Sequence, residues 1–419
     1  MNYRIFPPED LPEATITLPL SKSISNRALI INALNPANPH IGRVAECTDT
    51  AAVIHALSCG DEVINVGNAG TAMRFLTAYF AVQPGRVTVI DGCERMRIRP
   101  IGPLVDCLRR CGAVIEYIGE EGFPPLRVRG TNLDGGAVSI DGSVSSQFVS
   151  ALLMVAPLMK EGITLTIDGT TASLPYIDMT LSLMCRAGAS AEREGNVIRV
   201  APCGYSVAID TAEADWSAAS YWYETVALTS GFITLPDLTA DSLQGDRACA
   251  AIFGQLGVTT SDSVDVPGAE LAASPEVAPR LNMDMSDTPD LAQTVAVTCA
   301  MIGIPFRLGG LGNLRVKETD RIKALAVELR KIGVETETGT DYIAWDGRRM
   351  PIIEMPEFDT WGDHRMAMSL APVAAYVPGI VIHDAEVVEK SYPDFWNDLR
   401  AAGFTVMDAE NNPREGSGV

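Results

Sequence analysis

The sequence predicts an α/β protein of two domains, each assembled from copies of one repeated unit. Three observations lead there: chain length, a self-similar pattern, and a series of helix starts carrying polar residues. The chain has 419 residues, of which 47% are apolar and 20% charged. That is too long for one hydrophobic core, so two domains of about 200 residues are expected. Six stretches share one pattern, a helix-like apolar run closed by Gly and followed by alternating residues. They are Ala51–Gly60, Leu104–Gly112, Thr180–Gly188, Arg247–Gly257, Ile322–Gly333 and Phe395–Gly403. Gly after a helix is the natural stop, because it adopts the left-handed conformation without a Cβ clash. Alternation in Ala113–Tyr117, Ala189–Arg193 and Val334–Thr338 suits half-buried strands. The pattern recurs at intervals of roughly seventy residues, and such long-period repetition speaks to architecture.

Further helices are predicted at Ser25–Leu34, Ala69–Ala81, Ser146–Leu158, Ser217–Ala227, Leu291–Met301 and Met366–Ala375. Several open in segments of Ser, Asn and Gly that also carry charged or amide side chains: Ser21–Arg27, Gly67–Thr71 and Gly142–Gln147. Capping explains any one of them. Together they predict helix N-termini converging on a polyanion, since each offers free N–H groups and a positive dipole end. The last nine residues, Asn411–Val419, read as a loose tail.

The formal charge of −21 opposes nucleic acid or an anionic membrane as partner. An anionic substrate must therefore be drawn in by local cations. Nine cysteines without a C-x-x-C pair read as reduced core thiols. The four histidines show no metal-ligand spacing, so no structural or catalytic metal is expected. No apolar run reaches membrane-spanning length, and the first residues lack a signal peptide's apolar centre; a cytoplasmic location is expected.

The run Asn313–Arg321 places Arg315, Lys317 and Arg321 among Glu318 and Asp320, after the apolar, Gly-rich Met301–Gly312 and before a helical pattern with Thr319 as candidate N-cap. Cations beside a helix start suit a phosphate or carboxylate. A solvated, decorated helix face is the alternative at this point.

In order along the chain stand Leu18–Ala28, Gly67–Arg74, Arg95–Ile101, Ser145–Gln147, Pro175–Asp178, Asp290, Arg315–Arg321, Asp363–Met366 and Lys390–Asp394. This ordered set resembles the enolpyruvyl transferases, in particular the branch acting on shikimate 3-phosphate, over almost the whole chain. The resemblance implies an α/β (α+β) fold of two similar domains, each of three βαβαββ copies in an inverse α/β-barrel-like arrangement, closing on substrate. Residues 1–19 and 214–419 would form the phosphoenolpyruvate-side domain and residues 20–213 the shikimate-phosphate side. It implies transfer of an enolpyruvyl group from phosphoenolpyruvate to the hydroxyl of shikimate 3-phosphate, with loss of phosphate and no cofactor. The partners implied are small molecules alone, and the protein is expected to be a monomer.

By the same resemblance, Lys22, Ser23, Arg27, Ser145, Ser146, Gln147, Ser173, Tyr176, Asp290, Asn313 and Lys317 match positions that bind shikimate 3-phosphate. Lys22, Asn68, Gly70, Arg99, Gln147, Arg321, His364, Arg365 and Lys390 match the phosphoenolpyruvate side. Arg suits carboxylates and phosphates because its planar fork makes paired bonds. Asp290, with Lys22, would take the hydroxyl proton, and Glu318 would give and recover a proton at the methylene carbon. Read alone, Ser145 and Ser146 are equally well caps, Tyr176 a buried ring, Asp290 a cap, Glu318 an ion-pair partner and His364 a satisfied core residue. The chain departs from the family pattern at Leu20 (usually Gly), Phe75 (commonly Pro), Ile98 (commonly Glu) and Trp216 (a small residue). Leu20 and Phe75 leave the shape of the phosphoenolpyruvate pocket open, a bulky ring in place of Pro being able to shift the helix carrying Gly70. Two other readings remain: the sister enzyme acting on a UDP-linked N-acetylglucosamine, and an inactive binding protein of the same fold. Lys22-Ser23, where the sister enzyme carries Lys-Asn, favours the small phosphorylated acceptor.

Overall fold

The computed structural model describes residues 1–142, 145–169 and 173–410. The terminal stretch from Asn411, and Ser143 and Val144 of the Gly142–Gln147 helix start, lie outside the described residues. Two compact units result. The terminal unit comprises Met1–Pro19, Ala214–Ser242 and the chain from Asp246 onward; the inserted unit comprises Leu20–Glu213 and Leu243–Gly245. That short piece joins the inserted unit where the Glu213 carboxylate accepts from the Leu243 N–H and from Gln244 Nε2. Each unit has its own apolar core.

The repeat is present, and all but one of its copies are, among the described residues, βαβαββ units. In the inserted unit, strand Val63–Asn65, helix Gly70–Ala81, strand Val87–Asp91, helix Gly102–Arg110 and strands Val114–Tyr117 and Leu126–Arg129 make one copy. The first two strands pair in parallel and the last two as an antiparallel pair. A second copy runs from strand Gly136–Asp141 to strand Val197–Val200. The terminal unit holds three four-stranded sheets, one of which takes strand Tyr3–Phe6 from the N-terminus beside Ile380–Ile382 and Thr405–Asp408. The inserted unit's remaining copy keeps helices Lys22–Leu34 and Thr48–Ser58. In place of a sheet it has, among the described residues, the single parallel bridge Arg43–Thr211. The segment leading to Arg43 carries Pro36 and Pro39, which cannot donate to a ladder.

The glycine stops divide into two groups. Gly112, Gly188, Gly333 and Gly403 follow their helices at φ of 99°, 93°, 76° and 91°, the left-handed caps that the pattern called for. Gly60 is not a cap of this kind, because its helix ends at Ser58 with extended Cys59 as C-cap. Gly257 lies inside strand Leu256–Asp262, at the register shift between Leu256 and Val258. There a positive φ of 86° serves a bulge rather than a helix end.

The six further helices occur as Lys22–Leu34, Gly70–Ala81, Ser146–Val155, Trp216–Thr229, Ala292–Ile302 and His364–Leu370. Those beginning at Ser146 and His364 continue as 3₁₀ turns to Leu158 and Ala375. Helix Ala292–Ile302 is buried from Ala292 to Met301. A helix buried all round belongs in a core, and each of its buried Val or Met side chains contributes roughly 1.5–3 kcal/mol relative to exposure. Five of the nine cysteines are buried and all nine are unbonded thiols. Among the described residues no helix is long and apolar enough to cross a membrane.

Candidate active site

In the inserted unit, helices starting at Lys22, Gly70, Ser146 and Leu174 are tied together near the same end. Arg27 Nε donates to Thr180 Oγ1 at 2.7 Å and Nη2 to Ser150 Oγ at 3.1 Å. Phe75 packs on the same guanidinium. Arg27, Phe75, Ser150 and Thr180 each stand in the second turn of their helix, so the four helices meet within two turns of their N-terminal ends. Gln147 Nε2 also donates to Thr71 Oγ1 at 3.1 Å, between two first turns. The helices with Ser- and Asn-rich starts are thus in contact close to those starts.

What these starts carry is suited to anions. Arg99 is 7% exposed, and its Nε and Nη1 have no hydrogen-bond partner. Its guanidinium lies against Gly70: a Cβ there would fall 2.7 Å from Arg99 Nη1 and 2.8 Å from Nη2. Gly is needed so that a cation with unmade donors can rest on a helix N-terminus, an arrangement that favours a phosphate or carboxylate. Lys22 Nζ is held 3.3 Å from the buried Asp49 carboxylate. Ser145 caps its helix, accepting from the Gln147 N–H at 3.3 Å. Ser173 precedes helix Leu174–Arg186 at a left-handed φ of 59°, and Ser146 is largely buried. Ser23 and Tyr176 present backbone carbonyls to Arg27 at 2.9 and 3.4 Å. Asn68 lies just before the Gly70 helix.

Phe75 does not interrupt its helix, which runs unbroken from Gly70 to Ala81. The ring is fully buried, 5.2 Å from Arg27. Leu20 packs partly buried against the inserted unit's core, Ile98 is exposed, and Trp216 Nε1 donates to the Thr239 carbonyl.

The terminal unit builds a different centre, with Arg321 at its hub and 2% exposed. Nε donates to Asp363 Oδ2 at 2.6 Å, Nη1 to Asp290 Oδ1 at 2.8 Å and Nη2 to Glu318 Oε2 at 3.0 Å. Arg365 Nη2 reaches Asp290 Oδ2 at 3.0 Å. Lys317 lies 3.9 Å from Asp290, and Lys390 3.8 Å from Glu318. Burial pushes the Asp290 carboxyl up, but Arg365, Lys317 and Arg321 outweigh it and hold it well below the usual carboxylate range. Burial likewise disfavours the Arg321 charge, and Asp363, Glu318 and Asp290 reverse the balance. His364 is 1% exposed, with Nδ1 3.6 Å from Asp363 Oδ1. Asn313 lies on the 3₁₀ turn Gly312–Val316, which Lys317 ends.

Local structure explains the placement. Asp290 sits on the 3₁₀ turn Pro289–Leu291 that feeds helix Ala292–Ile302. Asp363 caps helix His364–Leu370 through the Arg365 N–H at 2.9 Å, so its second oxygen is left for Arg321. The N-cap of helix Arg321–Lys331 is Asp320, not Thr319; its side chain accepts from the Lys323 N–H at 3.1 Å. A charged carboxylate at this position also answers the helix dipole. Arg315 serves structure, bonding Asp320 Oδ2 at 2.7 Å and the Thr340 carbonyl at 2.8 Å.

Sequence reasoning gave no role to Asp49, Asp363 or Asp246. Asp363 is legible as an Asp before a helix start, but its service to Arg321 is not. Asp246 is 3% exposed and accepts a hydrogen bond from Ser217 Oγ. Burial, then the neighbouring Asp290, push its carboxyl up to about 7. Histidine spacing also misses the group His55, Cys59 and Asp61, whose ligand atoms lie within 4.8 Å of one another at the surface.

The profile of the EPSP synthase (3-phosphoshikimate 1-carboxyvinyltransferase) family matches residues 57–399. A 3-phosphoshikimate 1-carboxyvinyltransferase of Bacteroides fragilis strain YCH46 is 48% identical over 413 residues, 98% of this chain and all of its own length. The enzyme of that name from Photobacterium damsela subsp. piscicida is 35% identical over 94% of the chain and 97% of its own. Among solved structures, an EPSP synthase of Acinetobacter baumannii superposes with a TM-score of 0.76 at 23% identity, covering 97% of this chain and all of the other; that likeness speaks to the fold. Matched along nearly its full length by sequence, and in fold by a solved neighbour, the chain belongs to the EPSP synthase family.

Proposed function

We propose that this enzyme transfers the carboxyvinyl group of phosphoenolpyruvate to a hydroxyl of shikimate 3-phosphate and releases phosphate, with Asp290 and Glu318 as its proton-transfer groups. The ion network around Arg321 is the observation that carries this assignment. Two carboxylates are fixed by one buried guanidinium, and cations stand beside each. In the addition step, the acceptor oxygen bonds to C2 of phosphoenolpyruvate, Asp290 takes the hydroxyl proton, and Glu318 protonates the methylene carbon. In the elimination step, Glu318 recovers a proton from the new methyl group, the C2–O bond to phosphate breaks, and phosphate leaves with the proton that Asp290 took, which returns both carboxyls to their starting states.

Asp290 starts as a weak base because Arg365, Lys317 and Arg321 hold its charge. Anionic substrates that engage these cations lessen that hold and raise the carboxylate's basicity. Arg321 acts mainly as a positioning hub, since four of its five N–H groups are already directed at carboxylates. Lys22, Ser23, Arg27, Ser145, Ser146, Gln147, Ser173 and Tyr176 are assigned to the acceptor in the inserted unit, and Arg99 on Gly70 to phosphoenolpyruvate. Support comes from the converging helix starts and from Arg99's unmade donors. Asn68 is assigned with them to phosphoenolpyruvate, and His364, Arg365 and Lys390 to its carboxylate and phosphate. Asn313 and Lys317 complete the acceptor set.

A phosphate-release assay tests the reading. Phosphoenolpyruvate with shikimate 3-phosphate should give turnover, and phosphoenolpyruvate with UDP-N-acetylglucosamine none. Turnover with the second acceptor alone, or with neither, would overturn it.

A further inference from the structure

Arg27 is a buried cation without a counterion. It is 2% exposed, and among the described residues it forms no ion pair with any carboxylate. Its guanidinium instead makes four hydrogen bonds to neutral acceptors: Thr180 Oγ1, the Ser23 carbonyl, Ser150 Oγ and the Tyr176 carbonyl. A guanidinium has five N–H groups, so one on Nη1 stays uncommitted. Leaving a charge buried on neutral dipoles alone is costly. Burial duly pulls the Arg27 pKa down to about 10, and the group stays charged at neutral pH.

The remaining attraction comes from aromatic faces. The Phe75 ring centroid is 5.2 Å from the guanidinium carbon and the Tyr176 centroid 5.9 Å. Both are within the range where a ring quadrupole attracts a cation, and the effect is largest in a desolvated setting such as this. Phe75 itself is fully buried, so it has no adjustable end and its position is set by helix Gly70–Ala81. The same helix begins at the Gly70 that carries Arg99. One rigid element thus holds the phosphoenolpyruvate-facing start and, five residues on, the support of an acceptor-facing cation.

We propose that Phe75 is a positioning residue for the acceptor: its ring holds the Arg27 guanidinium in place for an anionic group of shikimate 3-phosphate, so residue 75 sets affinity for the acceptor rather than for phosphoenolpyruvate. The proposal rests on the assignment of Arg27 to the acceptor. A ring adds what an aliphatic side chain of similar size cannot, a negative face toward the cation. The anion then completes the neutralisation that ring and carbonyls leave partial.

The test compares the full-length wild type with Phe75→Leu, with 3,4,5-trifluorophenylalanine at position 75, and with Arg27→Lys. Shikimate 3-phosphate affinity is read by calorimetry, kcat and both KM values by phosphate release, and folding by thermal melts. The fluorinated ring keeps the shape and withdraws the face charge, so it remains decisive if the Leu variant folds poorly. Cation–π energies correspond to a loss of acceptor affinity of roughly 2- to 30-fold. That loss is expected in both Phe75 variants, with kcat and the phosphoenolpyruvate KM changing less than about twofold. Unchanged acceptor affinity in the fluorinated variant, with Arg27→Lys impaired, would overturn the role of Phe75 and leave Arg27's assignment standing. Unchanged affinity in Arg27→Lys would overturn both. A loss confined to the phosphoenolpyruvate KM would also overturn the proposal.

Discussion

Gly70→Ala probes the cation on the helix start most directly. Gly70 is absent from the residues with positive φ, so Ala suits the backbone and the helix keeps its first turn. The added Cβ would stand 2.7 Å from Arg99 Nη1, 2.8 Å from Nη2 and 2.9 Å from Cζ. Restoring ordinary contact requires the guanidinium to retreat by roughly 0.7 Å. That movement costs the fold little, because Nε and Nη1 of Arg99 give up no protein hydrogen bond. The loss falls on the ligand instead. Misplacement by 1 Å can cost about 10²-fold, so kcat/KM for phosphoenolpyruvate should drop about 10- to 100-fold, equivalent to about 1.4–2.7 kcal/mol. Steady-state phosphate release with each substrate varied in turn measures this, and a thermal melt should shift by no more than about 2 °C. A phosphoenolpyruvate kcat/KM within twofold of wild type would refute the reasoning, as would a loss seen only in the acceptor KM. By the family resemblance, glyphosate should inhibit competitively with phosphoenolpyruvate, and Gly70→Ala should weaken inhibition more than catalysis; equal weakening of both would count against it.

The remaining predictions concern the terminal unit. Glu318→Gln keeps shape and removes the proton donor, so turnover should fall by roughly 10²–10⁴-fold while calorimetry still detects shikimate 3-phosphate; near-normal turnover would remove Glu318 from the chemistry. Arg321→Met strands Asp290, Glu318 and Asp363 without their hub and should cost about 3–5 kcal/mol in denaturant unfolding, a loss below about 1 kcal/mol being the contrary result. Asp246 has a native carboxyl pushed up to about 7, above its unfolded value of about 3.9. The unfolded chain therefore releases this proton first, and stability is lost as pH rises from about 4 to 7. Asp246→Asn removes that titration, so its stability relative to wild type should improve over this window by up to roughly 4 kcal/mol. A difference that stays flat from pH 4 to pH 8 would contradict the raised carboxyl.

The sequence by itself determined the repeat and the helix starts, because both are local. An apolar period followed by Gly reports a helix and its left-handed stop within a dozen residues, as at Gly112 and Gly333. A Ser before a helix reports its cap, as at Ser145. The pattern failed where a Gly served another local purpose, at the Gly257 bulge and at Gly60, and where Asp320 capped more effectively than its neighbour Thr319. Candidate residues were legible through resemblance, but their partners were not. Arg321 finds Asp290 across 31 positions and Asp363 across 42, and Asp246 reaches Ser217 across 29. Phe75 lies under Arg27 from a different helix. Only tertiary packing decided those pairings: a side chain's charge state and its support depend on which groups share its desolvated surroundings, and local sequence does not encode that proximity.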